Sequence, residues 1–414
     1  MRCLACIHET IEAQKLNVCV IGGGAAGFFG AIAAAELGHR VTILEANESV
    51  LAKVRVSGGG RCNVTHHCFD PRELVKAYPR GGKALRGPFS KFQPTNTVEW
   101  FAARGVETKT ESDGRMFPIT DDSATIVNCL EEAAADAGVT VQTKTRVVAV
   151  KTVGSQFSIS LQSGDALVAD RVLFATGGSR AGFDLAHELG HQIVSPVPSL
   201  FTFVVKDPRL HELQGVSVEH VECELLTPEK KFKQSGPLLV THWGMSGPAV
   251  LKLSAWAARQ LYDSKYNATL RVNWLPNVSI EKIRAGLASQ RAINAKRSLA
   301  SSCPWPLPKR LWKSLVEHVV GGEVRWAELP KKSLQTLAAE LSAGEYQVAG
   351  KGQFKEEFVT CGGVRLDEVD FRSMQSRLCP GLFFAGEILD IDAVTGGFNF
   401  QNAWTTAWIA GNAM

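Results

Sequence analysis

A wholly apolar run at residues 18–21 opens into Gly22-x-Gly24-x-x-Gly27, and the pattern then changes period. The run has the length and composition of a buried strand, and the alanine-rich stretch behind it predicts a helix to about Leu37, closed by Gly38. Residues 40–44 predict a second strand ending at Glu45. Farther along, 124–137 predict a helix and 139–150 one or two strands. Residues 156–161 alternate polar and apolar, and 166–175 run into Ala175-Thr176-Gly177-Gly178. From about Pro196 the strand–helix alternation stops. Separate strands are expected at 201–205, 218–225, 238–242 and 269–274, then helices near 279–300, 307–320 and 331–342, the second carrying Leu311, Leu315 and Val319 at four-residue spacing. Gly362-Gly363-Val364 and the buried-type strand before Gly386-Glu387 return the chain to its first character. These shifts divide it into an extension (1–16), one domain in two pieces (17–195 and 351–414) and an inserted domain of strands and helices (196–350).

The opening strand–glycine–helix–strand unit has the form that holds a dinucleotide. Gly22 permits the turn out of the strand, Gly24 lets backbone approach a pyrophosphate, and Gly27 lets the helix lie on the sheet. The N–H groups at the helix start, through Ala25 and Ala26, face the phosphates with the helix dipole behind them. Glu45, 18 residues past Gly27, is placed to accept from the adenosine ribose hydroxyls. A bare glycine-rich turn would not bring the second strand and its terminal acid in register.

Composition narrows the class. With 414 residues the chain has room for two domains, and 45% hydrophobic and 21% charged residues are ordinary for a soluble globular protein. A net charge of +4 makes no case for nucleic acid or an anionic membrane. The longest apolar run, 25–35, is too short to span a bilayer, and residues 1–16 lack a secretory signal's apolar core. Ten scattered cysteines suit a reduced, cytoplasmic protein. Cys3, Cys6 and His8 lack the further ligands a zinc site needs, so a frayed extension is the expectation there.

Lys53 leads into Ser57-Gly58-Gly59-Gly60-Arg61-Cys62-Asn63-Val64-Thr65, a loop suited to lie against a ligand, here the flavin end of a bound FAD. Cys62 and Cys68 have the wrong spacing for a flavin-facing disulfide; a structural or flavin-packing Cys62 is preferred over a redox pair or a metal site with His66 and His67. His187 and His191, four apart, are read as structural, because Gly190 ends their helix. The basic pairs Lys309-Arg310 and Lys331-Lys332 are read as solvated helix faces.

The nonapeptide SGGGRCNVT resembles the signature of the BaiN/RdsA-type NAD(P)/FAD-dependent oxidoreductases, a group that includes aminoacetone-oxidase-like flavoproteins. Gly114-Arg-Met-Phe-Pro118, Ala175-Thr-Gly-Gly178, Thr241-His-Trp-Gly-Met-Ser-Gly-Pro248, Gly381-Leu-Phe-Phe-Ala-Gly-Glu387 and Thr395-Gly396-Gly397-Phe398-Asn399 carry the similarity across roughly 17–411. Two departures stand out: His66 where members commonly carry Asn, and Asp392-Ala393-Val394 where members often have Asp-Gly. The resemblance implies an α/β fold, a Rossmann-type (GR2-like) FAD-binding domain with an inserted α+β domain of barrel-like strands and a small helical part. It places Val147 and the 175–178 turn against the dinucleotide, and Glu387 at the ribityl and pyrophosphate region. It also puts the helix start behind Thr395 at the pyrimidine edge of the flavin, where its dipole would favour the reduced ring.

The expectation for function is an FAD-dependent oxidoreductase with non-covalent FAD, moving hydride at flavin N5 to or from a small molecule. No second GxGxxG occurs, so NAD(P)H enters only as a transient reductant without a domain of its own. His242 is the candidate for a residue facing substrate, beside the reading of a locally bonded loop histidine. An amine oxidase, an FAD-dependent RNA-modifying protein and a non-catalytic flavin sensor stay open as alternatives. Neither substrate nor oligomeric state is legible.

Overall fold

The computed structural model describes residues 15–352 and 359–414; Cys3, Cys6 and His8 lie outside the described residues. The opening unit forms as its pattern dictates. Asn17–Ile21 is a strand buried in four of its five residues, Ala25–Glu36 a helix buried at ten positions, and Arg40–Leu44 the next strand. The helix lies close to its neighbours at its glycines. A Cβ on Gly30 would fall 2.6 Å from the Leu173 side chain, and one on Gly411 2.5 Å from the Gly30 carbonyl, so this helix and the C-terminal Phe398–Gly411 meet through glycine.

Seven strands make the central sheet, in the order Val369–Asp370, Gln375–Ser376, Leu382–Phe384, Arg171–Phe174, Asn17–Ile21, Arg40–Leu44, Thr140–Gln142. The last five are parallel. Covered on both faces, the central ones read as near-continuous apolar runs. A three-stranded antiparallel crossover, Val147–Val153, Gln156–Leu161 and Ala166–Ala169, lies between the strands at 140–142 and 171–174 in the chain.

The second body is a closed six-stranded barrel, in the order Phe203–Val205, Gly244–Ser246, Lys231–Val240, Ser217–Leu226, Asn267–Asn273, Gly344–Lys351. Helices Ile280–Ile293, Lys309–Val320 and Lys331–Ala343 pack with it around a core that includes Trp274, Trp312, Trp326 and Leu315. The barrel-like strands and small helical part expected from the sequence are thus present. The first of these helices stops at Ile293, short of 300, where Asn294 caps it. Lys309, Arg310, Lys331 and Lys332 are all exposed.

Two antiparallel strands, Ile193–Ser199 and Val359–Val364, connect the bodies. A buried ion pair sits beside them: Arg80 grips Asp392 through Nε and Nη2 and donates from Nη1 to the Ala255 carbonyl at 2.8 Å, while Ser199 Oγ donates to Asp392 at 2.8 Å. His191, fully buried, bonds Ser376 Oγ through Nε2 (2.7 Å) and the Ala186 carbonyl through Nδ1 (3.1 Å). No group of three His, Cys, Asp or Glu side chains among the described residues is arranged to hold a metal. No helix among them is long and apolar enough to cross a membrane.

Candidate functional site

A cleft of about 1010 Å³ runs along the C-terminal ends of the parallel strands, where open α/β sheets bind ligands. Its floor is the glycine loop. A Cβ on Gly22 would strike the Ala175 carbonyl at 2.5 Å and one on Gly27 the Gly22 carbonyl at 1.9 Å, so both glycines are set by packing. Gly24 differs: a Cβ there would have no protein atom within 4 Å and would project into the cleft. That is a cradle a side chain would fill, and the N–H groups of Ala25 and Ala26 beside it begin the helix. The arrangement fits a pyrophosphate.

Glu45 closes one end. Its Oε2 accepts from Gly23 N–H and its Oε1 from Asn47 N–H, both at 2.8 Å, and from the Asn47 amide at 2.7 Å. Glu45 therefore clamps the glycine loop as well as lining the cleft. Ala175, Thr176, Gly177 and Gly178 form another edge; Gly178 is glycine because a Cβ would lie 1.9 Å from Thr360 Oγ1. Gly386 and Glu387 stand beside them, the Glu387 carboxylate accepting from Lys53 Nζ at 2.7 Å and Thr360 N–H at 2.8 Å.

The triple glycine ends a short helix begun at Ala52. Gly58, Gly59 and Gly60 all have positive φ (58°, 70°, 83°), a conformation that costs other residues energy and explains the run. Ser57, Gly58 and Gly59 line the cleft; Gly60 and the residues after it turn away. Arg61, expected at the cofactor, is held instead by Glu111 at 2.7 Å with its guanidinium 4.0 Å above the Phe117 ring. Cys62 is fully buried, and that burial pushes its thiol up to about 12. Cys62 and Cys68 are both free.

Asn63 acts inside the protein. With its amide oriented to satisfy its neighbours, it donates to the Thr65 and Met116 carbonyls (2.9 and 3.2 Å) and accepts from Gly397 N–H (2.9 Å). Gly396, Gly397 and Phe398, expected to face the flavin, thus sit behind the cleft wall. His66 Nδ1 bonds the Gly396 carbonyl at 3.0 Å, its ring stacks on Phe398, and a Cβ on Gly397 would lie 2.4 Å from the Thr65 carbonyl. Thr395 and Asn399 do line the cleft, and the Asn399 amide also brackets Ala393, accepting its N–H at 2.9 Å and donating to its carbonyl at 3.1 Å. Val147 is buried in its sheet, outside the cleft lining. His242 lies exposed in the turn between Lys231–Val240 and Gly244–Ser246, also outside it.

On the opposite wall only Ser246 falls in a motif that the sequence marks. Pro196 and Pro198 from the connecting strand, Leu200 just past its end, and Leu251 from helix Pro248–Trp256 give it an apolar surface. Two hydroxyls interrupt it: Thr202 Oγ1 donates to Ser246 Oγ at 2.9 Å, which leaves the Ser246 proton free to point elsewhere. Ser246 belongs to the same THWGMSGP stretch as His242; its signal in the sequence is the Ser-Gly-Pro that turns a strand into a helix. Asn402 completes the cleft from the C-terminal helix, with Phe400 and Ala403 near it.

The chain is 30% identical over 407 residues to a protein of Escherichia coli strain K12 named ribosomal RNA dihydrouridine synthase, covering 95% of this chain and 97% of that one. It is equally 30% identical, over 422 residues, to the 3-dehydro-bile acid delta(4,6)-reductase of Clostridium scindens, covering 95% and 98%. Among solved structures, the 3-ketosteroid-delta4-(5alpha)-dehydrogenase of Rhodococcus jostii RHA1 has the same fold, with a TM-score of 0.52 at 16% identity and 98% of each chain covered. Residues 16–413 match the family described as HI0933-like protein Rossmann domain, and the chain belongs to that family.

Proposed function

We propose that the protein is an FAD-dependent oxidoreductase that reduces a conjugated carbon–carbon double bond in a small ring compound, with NAD(P)H as the transient reductant. One observation carries this reading: the cradle that fits a dinucleotide is continuous with a largely apolar wall from the connecting strand and barrel, broken by the Thr202–Ser246 hydroxyl pair. Bound FAD would supply the hydride chemistry at its N5.

The remaining work falls to the chain. The loop at Gly22–Gly24 and the following helix start hold the pyrophosphate, Glu45 the adenosine ribose, and Lys53 with Glu387 the polar edge between the two walls. Pro196, Pro198, Leu200 and Leu251 exclude water from the reacting face. Ser246, its oxygen already accepting from Thr202, has its own proton to donate to a substrate carbonyl. Such a donor draws electron density from a conjugated double bond and favours hydride arrival. The Escherichia coli and Clostridium scindens relatives fit this chemistry, since a dihydrouridine and the product of a delta(4,6)-reductase each differ from their precursors by hydrogen added to ring double bonds.

The test is anaerobic. The purified yellow protein is reduced with NADPH or NADH, then mixed with cyclic enones of increasing size, amines, and ribosomal RNA. Reoxidation by an enone with loss of its conjugated absorbance is expected. A protein that is colourless and cannot be loaded with FAD sinks the whole reading. Reduction of the flavin by amines but not by either nicotinamide would move it to the oxidase class. A second substrate reading, a uridine in ribosomal RNA, is favoured by the 30% identity to the Escherichia coli protein over nearly its full length. Dihydrouridine appearing in RNA incubated with reduced protein, with no enone consumed, would establish it.

A further inference from the structure

The C-terminal helix Phe398–Gly411 has one face committed to the protein. Gln401 accepts from Thr65 Oγ1 (2.6 Å) and Thr97 Oγ1 (2.9 Å), Trp404 Nε1 donates to the Val64 carbonyl (2.9 Å), and Thr405 Oγ1 to the Phe92 carbonyl (2.9 Å). The other stripe, three and four residues apart, is Asn399, Asn402, Ala403 and Thr406. Its first three members line the cleft, and Thr406 Oγ1 accepts the Gly386 N–H at 2.9 Å.

On that stripe every polar side chain but one is engaged within the fold. Asn399 is closed on Ala393, and Thr406 is bonded at both its donor and acceptor. Asn402 is 2% exposed, yet its Oδ1 has no hydrogen-bond partner among the described residues. A buried amide oxygen left unpaired is costly, so such a group in a cleft wall is a reserved contact.

Position and chemistry say for what. Ala403, its neighbour, lies 3.8 Å from the Cβ direction of Gly386, and that same Cβ would sit 3.0 Å from Ala26. Asn402 thus stands between the helix start expected to hold pyrophosphate and the Thr395–Asn399 turn expected near the ring. In a flavin dinucleotide the segment between those groups is the sugar-alcohol chain. A phosphate only accepts hydrogen bonds and cannot satisfy an amide oxygen, whereas a hydroxyl donates to that oxygen and can also accept from the amide nitrogen. We propose that the Asn402 carboxamide is a dedicated contact for a ribityl hydroxyl of the flavin, which makes Asn402 a positioning residue for the cofactor. This rests on the FAD reading above.

The experiment is an equilibrium titration of apoprotein, followed by flavin fluorescence, with FAD and its 2′-, 3′- and 4′-deoxyribityl analogues. Wild type should bind one analogue about fivefold more weakly than FAD, the scale of one net hydrogen bond. Asn402→Leu should lose a similar factor for FAD and bind that analogue as tightly as FAD. Asn402→Asp retains an acceptor oxygen and should keep the discrimination; it carries the test if the leucine variant does not fold. Equal binding of all four ligands by wild type, or a leucine variant that discriminates as wild type does, overturns the proposal while leaving FAD binding intact. Failure of wild type to bind FAD at all overturns both this contact and the reading beneath it.

Discussion

At the scale of single residues, glycines on one loop answer to different constraints. Gly27 is packed against the Gly22 carbonyl, so Gly27→Ala should destabilise the fold and show as a lowered Tm even without ligand. Gly24→Val has room in the apoprotein and should fold, but its side chain would occupy the space proposed for the pyrophosphate. Abolished FAD binding with an unchanged apoprotein Tm is the expected pair of results, and FAD affinity within twofold of wild type would falsify the cradle. Glu45→Ala removes a clamp on Gly23 and Asn47 together with the acceptor proposed for the ribose, so about 2–3 kcal/mol of FAD affinity should go, roughly 30-fold or more. Cys62 is inert for a simple reason, since burial holds it as a thiol. Alkylating reagents at pH 8 should modify Cys68, which is partly exposed, well before Cys62. Cys68→Ser should leave flavin reduction nearly intact.

At the scale of elements, the C-terminal helix is fixed from inside by Gln401. Gln401→Leu strands the hydroxyls of Thr65 and Thr97 without their acceptor and should cost about 2–3 kcal/mol in denaturant unfolding. A smaller loss, below about 0.5 kcal/mol, would mean those hydroxyls find other acceptors. His191 carries a pH signal. Burial lowers its pKa below the ordinary 6.5, so the unfolded chain binds the proton more readily than the folded one. The stability this histidine adds is present above pH 6.5 and is lost as pH falls from there toward the depressed folded value. His66 is lowered for the same reason and adds to the same window. Tm measured between pH 7.5 and 5.5 should fall more for wild type than for His191→Gln; parallel slopes would remove His191 from that account.

For the whole molecule, the connection between sheet domain and barrel is as consequential as either part. Arg80 bonds Ala255 on a helix beside the barrel and Asp392 on the returning chain, and Asp392 receives Ser199 from the connecting strand. Arg80→Ala leaves the wholly buried Asp392 carboxylate without its cation and should cost about 3–5 kcal/mol, whereas replacing both partners by apolar residues should cost much less. Because the same contacts fix the strand that carries Pro198 and the helix that carries Leu251, both of which line the cleft, the single variant should also bind FAD more weakly in an equilibrium titration.

The nucleotide end was open to reading from sequence because its determinants are local. A strand, a glycine turn and a helix occupy consecutive residues, and their chemistry depends on backbone conformation that glycine and alanine encode directly. The strand before Gly386-Glu387 is local in the same way. The opposite wall was not open in that way. Pro196, Thr202, Ser246, Leu251 and Thr360 come from separate elements, and only closure of the barrel and pairing of Ile193–Ser199 with Val359–Val364 bring them to one surface. Direction was likewise a tertiary matter. Arg61 and Gly397 belong to motifs that resemble flavin contacts, yet Glu111 turns the one away and Asn63 takes up the N–H of the other. Local sequence determines which conformations a segment can adopt; which of its polar groups remain free for a ligand depends on the partners that distant segments bring.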